Sequence, residues 1–310
     1  MEPGAVSFVI PTTARNGKVG ALLRELAASP APRLEVIVVF NGAPAETAAG
    51  LRAQFADEPR IVFTESPTLG LTPGRLQGAR VSRREFVWYL DDDVRLPPGF
   101  FAAWAGVELA PDCAFGGGPL VLPPWVGLPD WAQDPLRLHD LSITVDAAEH
   151  RKHPIGANCF CRREALLTVA PVMEQAPYVL DRQGSNLLSC GEMFIWALLE
   201  RAGWKGQWET SLAVYHDIAL DRIDQAWFVR RAVWQGISTL CLARNLGLAA
   251  YLRLAAIWLA KASILAVGSF GRRLGGRVVA WRQARLQLIT SQVFAGFWPI
   301  LLGRMPRIRD

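Results

Sequence analysis

Four short runs, VSFVI (6–10), LEVIVVF (34–40), IVFTE (61–65) and FVWYL (86–90), are almost continuously apolar and rich in β-branched and aromatic residues. A strand with one wet face alternates between apolar and polar residues, so runs without alternation read as strands covered on both faces. Helix-like stretches, GKVGALLRELAAS and AETAAGLRAQFA, separate the first three runs, with Leu22, Leu23 and Leu26 at helical spacing. Strand, helix, strand, helix predicts an α/β chain with a parallel sheet and right-handed crossovers.

A third helix is expected in LTPGRLQGARVS, with Thr72 as N-cap and Pro73 at the first helical position, where its missing N–H costs nothing. Arg75 then falls in the first turn, near the positive end of the helix dipole, a corner suited to an anion such as a diphosphate. An exposed arginine on a surface helix is the plainer reading.

The fourth apolar run ends on Asp91, Asp92 and Asp93. Ligands of open parallel sheets bind outside the carboxyl ends of the strands, where this triplet emerges. Adjacent carboxylates repel unless a cation or a helix N-terminus offsets them. Two at i and i+2 can present oxygens to one Mg²⁺ or Mn²⁺, which keeps waters and phosphate oxygens in its other positions. The alternative is an acidic cap for a helix starting near Pro97.

The chain of 310 residues is 51% apolar and 20% charged, which excludes a disordered chain. Five cysteines, without paired CxxC spacing, read as reduced thiols. In Cys159-Phe160-Cys161 one thiol is expected to be buried and one to face the surface. MEPGAVSFVIPTT has no basic segment before its apolar run, so no secretory signal is expected and a cytoplasmic location follows. From Arg222 onward 14 Lys and Arg stand against two Asp and Glu, leaving 19 against 26 in the rest. An acidic partner surface, lipid or nucleic acid, would suit that tail.

Several ordered motifs together resemble one family. VSFVIPTTARN, LEVIVVFNG, LGLTPGRLQGARVSRREFVWYLDDDV, GANCFCRREAL, GSNLLSCGEMFIWALLERAGW, VYHD and WFVRRAVWQGIS follow the order of family-2 glycosyltransferases over about residues 5–240. The resemblance implies the GT-A nucleotide-diphospho-sugar transferase fold: a mostly parallel central sheet flanked by helices over residues 1–220, then a basic helical extension over 221–310. It also implies an inverting, metal-dependent transfer from a nucleotide-diphosphate sugar, first of all a UDP-sugar, to a saccharide or lipid-linked acceptor. The rival readings are a sugar nucleotidyltransferase, or a membrane-associated scaffold of the same fold with impaired catalysis.

By that resemblance Asp91 and Asp93 are the DxD pair holding Mg²⁺ or Mn²⁺, with Asp93 the direct ligand and Asp92 near the donor ribose or sugar. Arg75 flanks the donor diphosphate, and Pro11, Thr12 and Asn41 receive the nucleotide. Phe40 stands where relatives carry a base-contacting Asp, which weakens inference about the base. Glu192 aligns with the second residue of an acidic pair whose first is replaced by Gly191. It is therefore the expected catalytic base, against the plainer role of a glutamate favoured at a helix N-terminus. His216 is a third candidate metal ligand or a structural histidine. Gly117, Gly118 and Asn158 lie against the donor sugar or are turn residues. Trp125 and Trp131 offer a stacking face or belong to the core. His139, His150 and His153 lack metal spacing.

NLGLAAYLRLAAIWLAKASILAVGSF (245–270) is apolar, but Arg253 and Lys261 interrupt it and project about 80° apart on a helix, leaving one polar edge beside a broad apolar face. With GRRLGGRVVAWRQAR and Trp281 this reads as a helix pair in the interface of an anionic membrane, peripheral at the cytoplasmic face, or as a helical subdomain packed on the catalytic part. The stretch 286–303 lacks charge but holds Gln287, Thr290, Ser291, Gln292 and Pro299, a poor membrane span. No nucleic-acid-binding fold accompanies the charge.

Overall fold

The computed structural model describes residues 6–30, 34–144, 153–182, 186–219 and 222–257. The interfacial helix pair expected from residue 245 onward lies outside the described residues beyond residue 257, as does His150. The chain forms two compact units, Met1–Glu174 with Ile195–Arg222, and Gln175–Phe194 with Ile223–Asp310.

In the first unit the four apolar runs become β1 (Val6–Thr12), β2 (Glu35–Phe40), β3 (Ile61–Glu65) and β4 (Phe86–Leu90). The helices between them are α1 (Val19–Ala27), α2 (Ala45–Gln54) and α3 (Leu71–Val81). Next come β5 (Val94–Arg95), α4 (Phe100–Ala105), β6 (Cys113–Gly117), β7 (Leu120–Val121), α5 (Pro135–Asp140), β8 (Asn158–Arg162) and α6 (Arg163–Glu174). Helix α7 (Gly191–Arg201) begins in the second unit, and β9 (Lys205–Trp208) and β10 (Val214–His216) complete the first.

Seven strands form one sheet in the order β3-β2-β1-β4-β8-β6-β9. Strand β1 pairs parallel with β2 and β4, and β2 with β3. Strand β8 is antiparallel to both β4 and β6, so the sheet is mostly rather than wholly parallel. Every residue of β1, β2 and β4 is buried, as their unbroken apolar runs require. On one face Phe8, Trp88, Phe100 and Trp104 pack ring to ring at 5.6–6.5 Å. Each such side chain contributes about 1.5–3 kcal/mol of burial. On the other face α3 lies so close that a Cβ at Gly78 would stand 2.2 Å from Val9 Cγ1.

Both thiols of Cys159 and Cys161 are buried, correcting the expectation that one faces outward. Residues i and i+2 of a strand share a face, and this sheet is covered on both. All five cysteines are buried and none is in a disulfide.

Helix α3 starts earlier than expected. Gly70, at φ 128°, is its N-cap, and its N–H donates to Asn41 Oδ1 at 2.9 Å, so Thr72 and Pro73 lie inside the first turn. Proline is tolerated there because the first four helical N–H groups have no intrahelical partner. Arg75 is consequently the fifth helical residue, two positions deeper than the sequence suggested. The helix expected near Pro97 begins at Phe100 behind Gly99, whose φ is 82°. The three aspartates are therefore outside its first turn, and capping does not explain them.

A smaller three-stranded sheet, β5-β10-β7, ties distant segments together: β10 pairs antiparallel with β5 (His216 opposite Val94) and parallel with β7.

The second unit is built on α8 (Gln225–Asn245), capped by the Asp224 carboxylate, which accepts from Trp227 N at 3.1 Å. Asn245 near its other end exchanges hydrogen bonds with the Tyr178 backbone at 3.2 and 3.0 Å. Residues 248–257 are helical. Among the described residues no helix is long and apolar enough to cross a membrane.

Candidate active site

The carboxyl ends of β1 and β4 lie side by side, and residues from both form one polar cluster. The Thr12 hydroxyl donates to Asp92 Oδ2 and Asn16 Nδ2 donates to Asp92 Oδ1 at 2.7 Å. Burial pushes the Asp92 carboxyl up to about 6; these two hydrogen bonds oppose the rise, and the charges of Asp93 and Asp91 add to it.

Asp91 leaves the strand toward α3, where Arg75 Nη2 meets its Oδ1 at 3.2 Å. The Arg75 side chain is 3% exposed, its guanidinium lies 5.7 Å from the Tyr89 ring, and Tyr89 Oη donates to the Arg75 carbonyl at 3.1 Å. A Cβ at Gly156 would fall 2.5–2.9 Å from the guanidinium, so glycine there leaves the cation its place. Arg75 is thus a buried cation braced against the acidic triplet, contrary to the exposed surface arginine.

Asp93 is buried, and both its oxygens face cationic or potentially cationic groups: His216 Nε2 at 3.4 Å from Oδ1 and Arg222 Nη2 at 3.7 Å from Oδ2. The pairing of β5 with β10 brings these residues together, and Asp217 N donates to the Asp93 carbonyl at 2.8 Å. Lys18, beside the start of α1, reaches the Asp217 carboxylate at 2.9 Å. Burial alone would raise the Asp93 pKa, but His216, Arg222 and Lys18 outweigh it and hold the carboxyl at about 2. Asp93 is therefore an anion throughout the neutral range.

A divalent cation fits part of the expected set. Asp93 and His216 are adjacent and buried, and His216 Nδ1 has no hydrogen-bond partner among the described residues. One carboxylate with one imidazole suits Mn²⁺ more than Mg²⁺ and leaves positions for phosphate oxygens and water. Asp91 Oδ1 meets Arg75 Nη2, and among the described residues no three His, Cys, Asp or Glu side chains gather as a metal cluster.

Other expected donor-side residues carry the frame of the site. Asn41 Nδ2 donates to Thr68 O at 2.9 Å while its Oδ1 accepts from Gly70 N, so its amide fixes the loop leading into α3. Pro11 is buried under α3, where a Cβ at Gly74 would meet it at 3.2 Å. The amide of Asn158 is wholly engaged by Trp88 Nε1 at 3.0 Å, Leu212 O at 2.7 Å and Pro119 O at 3.3 Å. Phe40 is turned into the core, stacked on Phe63 at 5.6 Å, with the Arg52 guanidinium 5.1 Å above it. Trp125 is exposed and meets Tyr215 edge-on at 5.5 Å, whereas Trp131 lies under the Arg137 guanidinium at 5.2 Å. His153 pairs with Glu200 at 3.1 Å.

Gly117 and Gly118 admit neighbouring backbone. A Cβ on Gly117 would lie 2.3 Å from Asn158 O, and one on Gly118 would lie 2.3 Å from Leu212 O and 2.8 Å from Glu209 O. Main-chain atoms cannot swing aside as a side chain does, so Gly118→Ala is expected to destabilise the protein by about 3 kcal/mol, read as a lower midpoint in chemical denaturation. A loss under about 0.5 kcal/mol would mean that this crossing relaxes freely.

Sequence reasoning missed Lys18, Asn16 and Arg222. Arg222 carries no local signal, because it reaches Asp93 only through the β5–β10 pairing. Asn16 and Lys18 follow a strand end directly, which is where such a search would begin.

The sequence pattern described as glycosyl transferase family 2 matches residues 7–166, just over half the chain and the whole of the strands and helices that carry the aspartates. The chain belongs to glycosyl transferase family 2. It is a glycosyltransferase with the GT-A fold. Among solved structures it resembles the mannosyltransferase PcManGT from Pyrobaculum calidifontis in complex with GDP-Man and Mn²⁺, at 16% identity and a TM-score of 0.57, over 96% of this chain and 88% of that one. TarS from S. aureus in complex with UDP gives 16% identity and a TM-score of 0.47 over 98% and 92%. Glucosyl-3-phosphoglycerate synthase from Mycobacterium tuberculosis gives 13% identity and 0.47 over 79% of each chain. No curated protein sequence matches significantly.

Proposed function

We propose that the protein transfers a sugar, with inversion, from a nucleoside-diphosphate sugar to a saccharide or lipid-linked acceptor with the help of Mn²⁺ or Mg²⁺. The observation that carries this reading is the buried Asp93–His216 pair at the carboxyl edge of the sheet, an anion and an imidazole side by side with Arg222 and Lys18 close by. The mannosyltransferase with the same fold holds GDP-Man and Mn²⁺. A UDP-sugar remains the first donor to try; Phe40 has no carboxylate with which to read the base, so the donor panel includes a guanine nucleotide.

Asp93 and His216 hold the divalent cation, which when bound supplies positive charge to the diphosphate leaving group. Asp91, oriented by Arg75, faces the donor, and Asp92, tied to Thr12 and Asn16, keeps the ends of β1 and β4 together beneath it. Arg222 adds positive charge where the leaving phosphate develops negative charge. Glu192 acts as the base, taking the proton of the acceptor hydroxyl as that oxygen attacks the anomeric carbon opposite the leaving group. Attachment to an anionic membrane at the cytoplasmic face belongs to the same reading. Exposed Leu248, Leu252 and Ile257 beside Arg253 on the helix 248–257 support it.

The test is product identity. The full chain, incubated with UDP-glucose, UDP-N-acetylglucosamine or GDP-mannose and Mn²⁺, is expected to release free nucleoside diphosphate, with water taking the sugar where no saccharide acceptor is added. Consumption of added pyrophosphate, giving nucleoside triphosphate and sugar 1-phosphate, would assign it to nucleotidyl transfer instead.

A further inference from the structure

The turn leading into α7 is held in an unusual backbone conformation by side chains of α8, all within the second unit. Cys190, at φ 78°, is one of few non-glycine residues with positive φ among those described, and its carbonyl accepts from Phe194 N at 3.0 Å to open the helix. Helix-capping residues ordinarily sit in the extended region, so this one persists only where its surroundings over-determine it.

Those surroundings are three α8 side chains at positions i, i+4 and i+7, which share one helix face. Arg231 Nη1 donates to Leu187 O at 2.9 Å and to Ser189 Oγ at 3.3 Å. Gln235 Oε1 accepts from Ser189 Oγ at 3.2 Å, and its Nε2 donates to Cys190 Sγ at 3.5 Å. Ser238 Oγ accepts from Ser189 N at 3.0 Å and donates to Trp234 O at 2.7 Å. Arg231 has no carboxylate partner among the described residues; its cation serves only a carbonyl and a hydroxyl, an arrangement worth keeping buried only if the turn it grips matters. Burial pushes the Cys190 thiol up to about 11, so it is neutral and unsuited to nucleophilic attack, which leaves its backbone geometry as its contribution.

We propose that Arg231, Gln235 and Ser238 are positioning residues that lock the Ser189–Cys190 turn and thereby aim the first turn of α7, with Glu192, for catalysis. The inference rests on Glu192 as the base. It makes the start of the basic extension part of the reaction machinery, because α8 sets the direction of the residue that moves the proton. A base displaced by an ångström loses the alignment on which its contribution depends.

The experiment compares the full-length Ser238→Ala/Gln235→Ala double variant, the same variant carrying Cys190→Gly, and Glu192→Gln with the unaltered protein. Amide hydrogen exchange is read along the chain, and nucleoside diphosphate release is followed from UDP-glucose, UDP-N-acetylglucosamine and GDP-mannose with Mn²⁺. The double variant is expected to exchange at least about tenfold faster over residues 189–194 while β1, β2 and β4 keep their protection. Its kcat falls at least about tenfold with the donor KM within twofold, the pattern of a lost alignment rather than lost binding. Cys190→Gly, free to adopt positive φ unaided, recovers part of the lost kcat. Unchanged exchange over 189–194, unchanged kcat, or a loss of protection spread through the sheet would each overturn the proposal. An inactive Glu192→Gln beside a fully active double variant removes the positioning role alone, whereas an active Glu192→Gln removes the base and this inference together.

Discussion

Replacing Asp93 by asparagine is expected to lower Mn²⁺-stimulated turnover of the donor by at least about a hundredfold. The carboxylate is buried and held at about 2 by His216, Arg222 and Lys18, so near neutral pH the native protein presents a full negative charge there. Asparagine keeps the shape and removes the charge. A divalent cation then has an imidazole and a neutral amide where it needs a hard anion, and the leaving diphosphate loses its electrostatic support. The measurement pairs steady-state turnover with Mn²⁺ binding followed by the electron paramagnetic resonance of the free ion. Both should fall together. Turnover that stays near the unaltered rate would take Asp93 out of the reaction. Because asparagine leaves His216 and Arg222 beside a neutral group, a drop in thermal stability is also expected, and folded protein must be confirmed before rates are compared.

Glu192→Gln is expected to separate binding from chemistry. A positioned base contributes about 10²–10⁴-fold, and glutamine preserves size and hydrogen-bonding capacity while removing the ability to take a proton. The donor should therefore still raise the protein's melting temperature in the presence of Mn²⁺, while transfer falls by about a thousandfold. Transfer within a fewfold of the unaltered protein would require another base. Loss of donor binding in parallel would show instead that the side chain supports the fold of the site.

The fold was legible where the physics is local. The nearly unbroken apolar runs at 6–10, 34–40 and 86–90 state that both faces of their strands are covered, whereas β3 at the sheet edge buries only Ile61, and the helices between the runs leave little choice but parallel pairing. What failed were boundaries and faces. Thr72 looked like a cap, but Gly70 is held by the Asn41 amide from the loop after β2, a contact that no local pattern around residue 70 records. Cys159 and Cys161 were misjudged because residues two apart in a strand share a face, and both faces of this strand are covered.

In the site, the aspartates announced themselves by their crowding, and the resemblance to family 2 supplied roles for the residues around them. Their division of labour was not legible. Asp91 turns to Arg75, Asp92 to Thr12 and Asn16, and Asp93 to His216 and Arg222, and each choice depends on which strand end arrives next to which. Likewise Gly117, Gly118 and Asn158 read in sequence as sugar neighbours or turn residues, and no local pattern recorded that they also admit close crossings of backbone and hold Trp88.

The pairing of Val94 with His216 also bears on how the protein comes to be made. Strands β1 to β4 can assemble as soon as residue 90 has left the ribosome, but the partner that completes the acidic corner is translated far later, and joining the two costs the entropy of closing a long loop. A nascent chain that stops short of Val214 holds every residue of β1 to β4 while lacking the histidine that stands against Asp93. The Asp93–His216 pair at that corner is therefore completed late in synthesis, after the whole segment that marks the family has been translated.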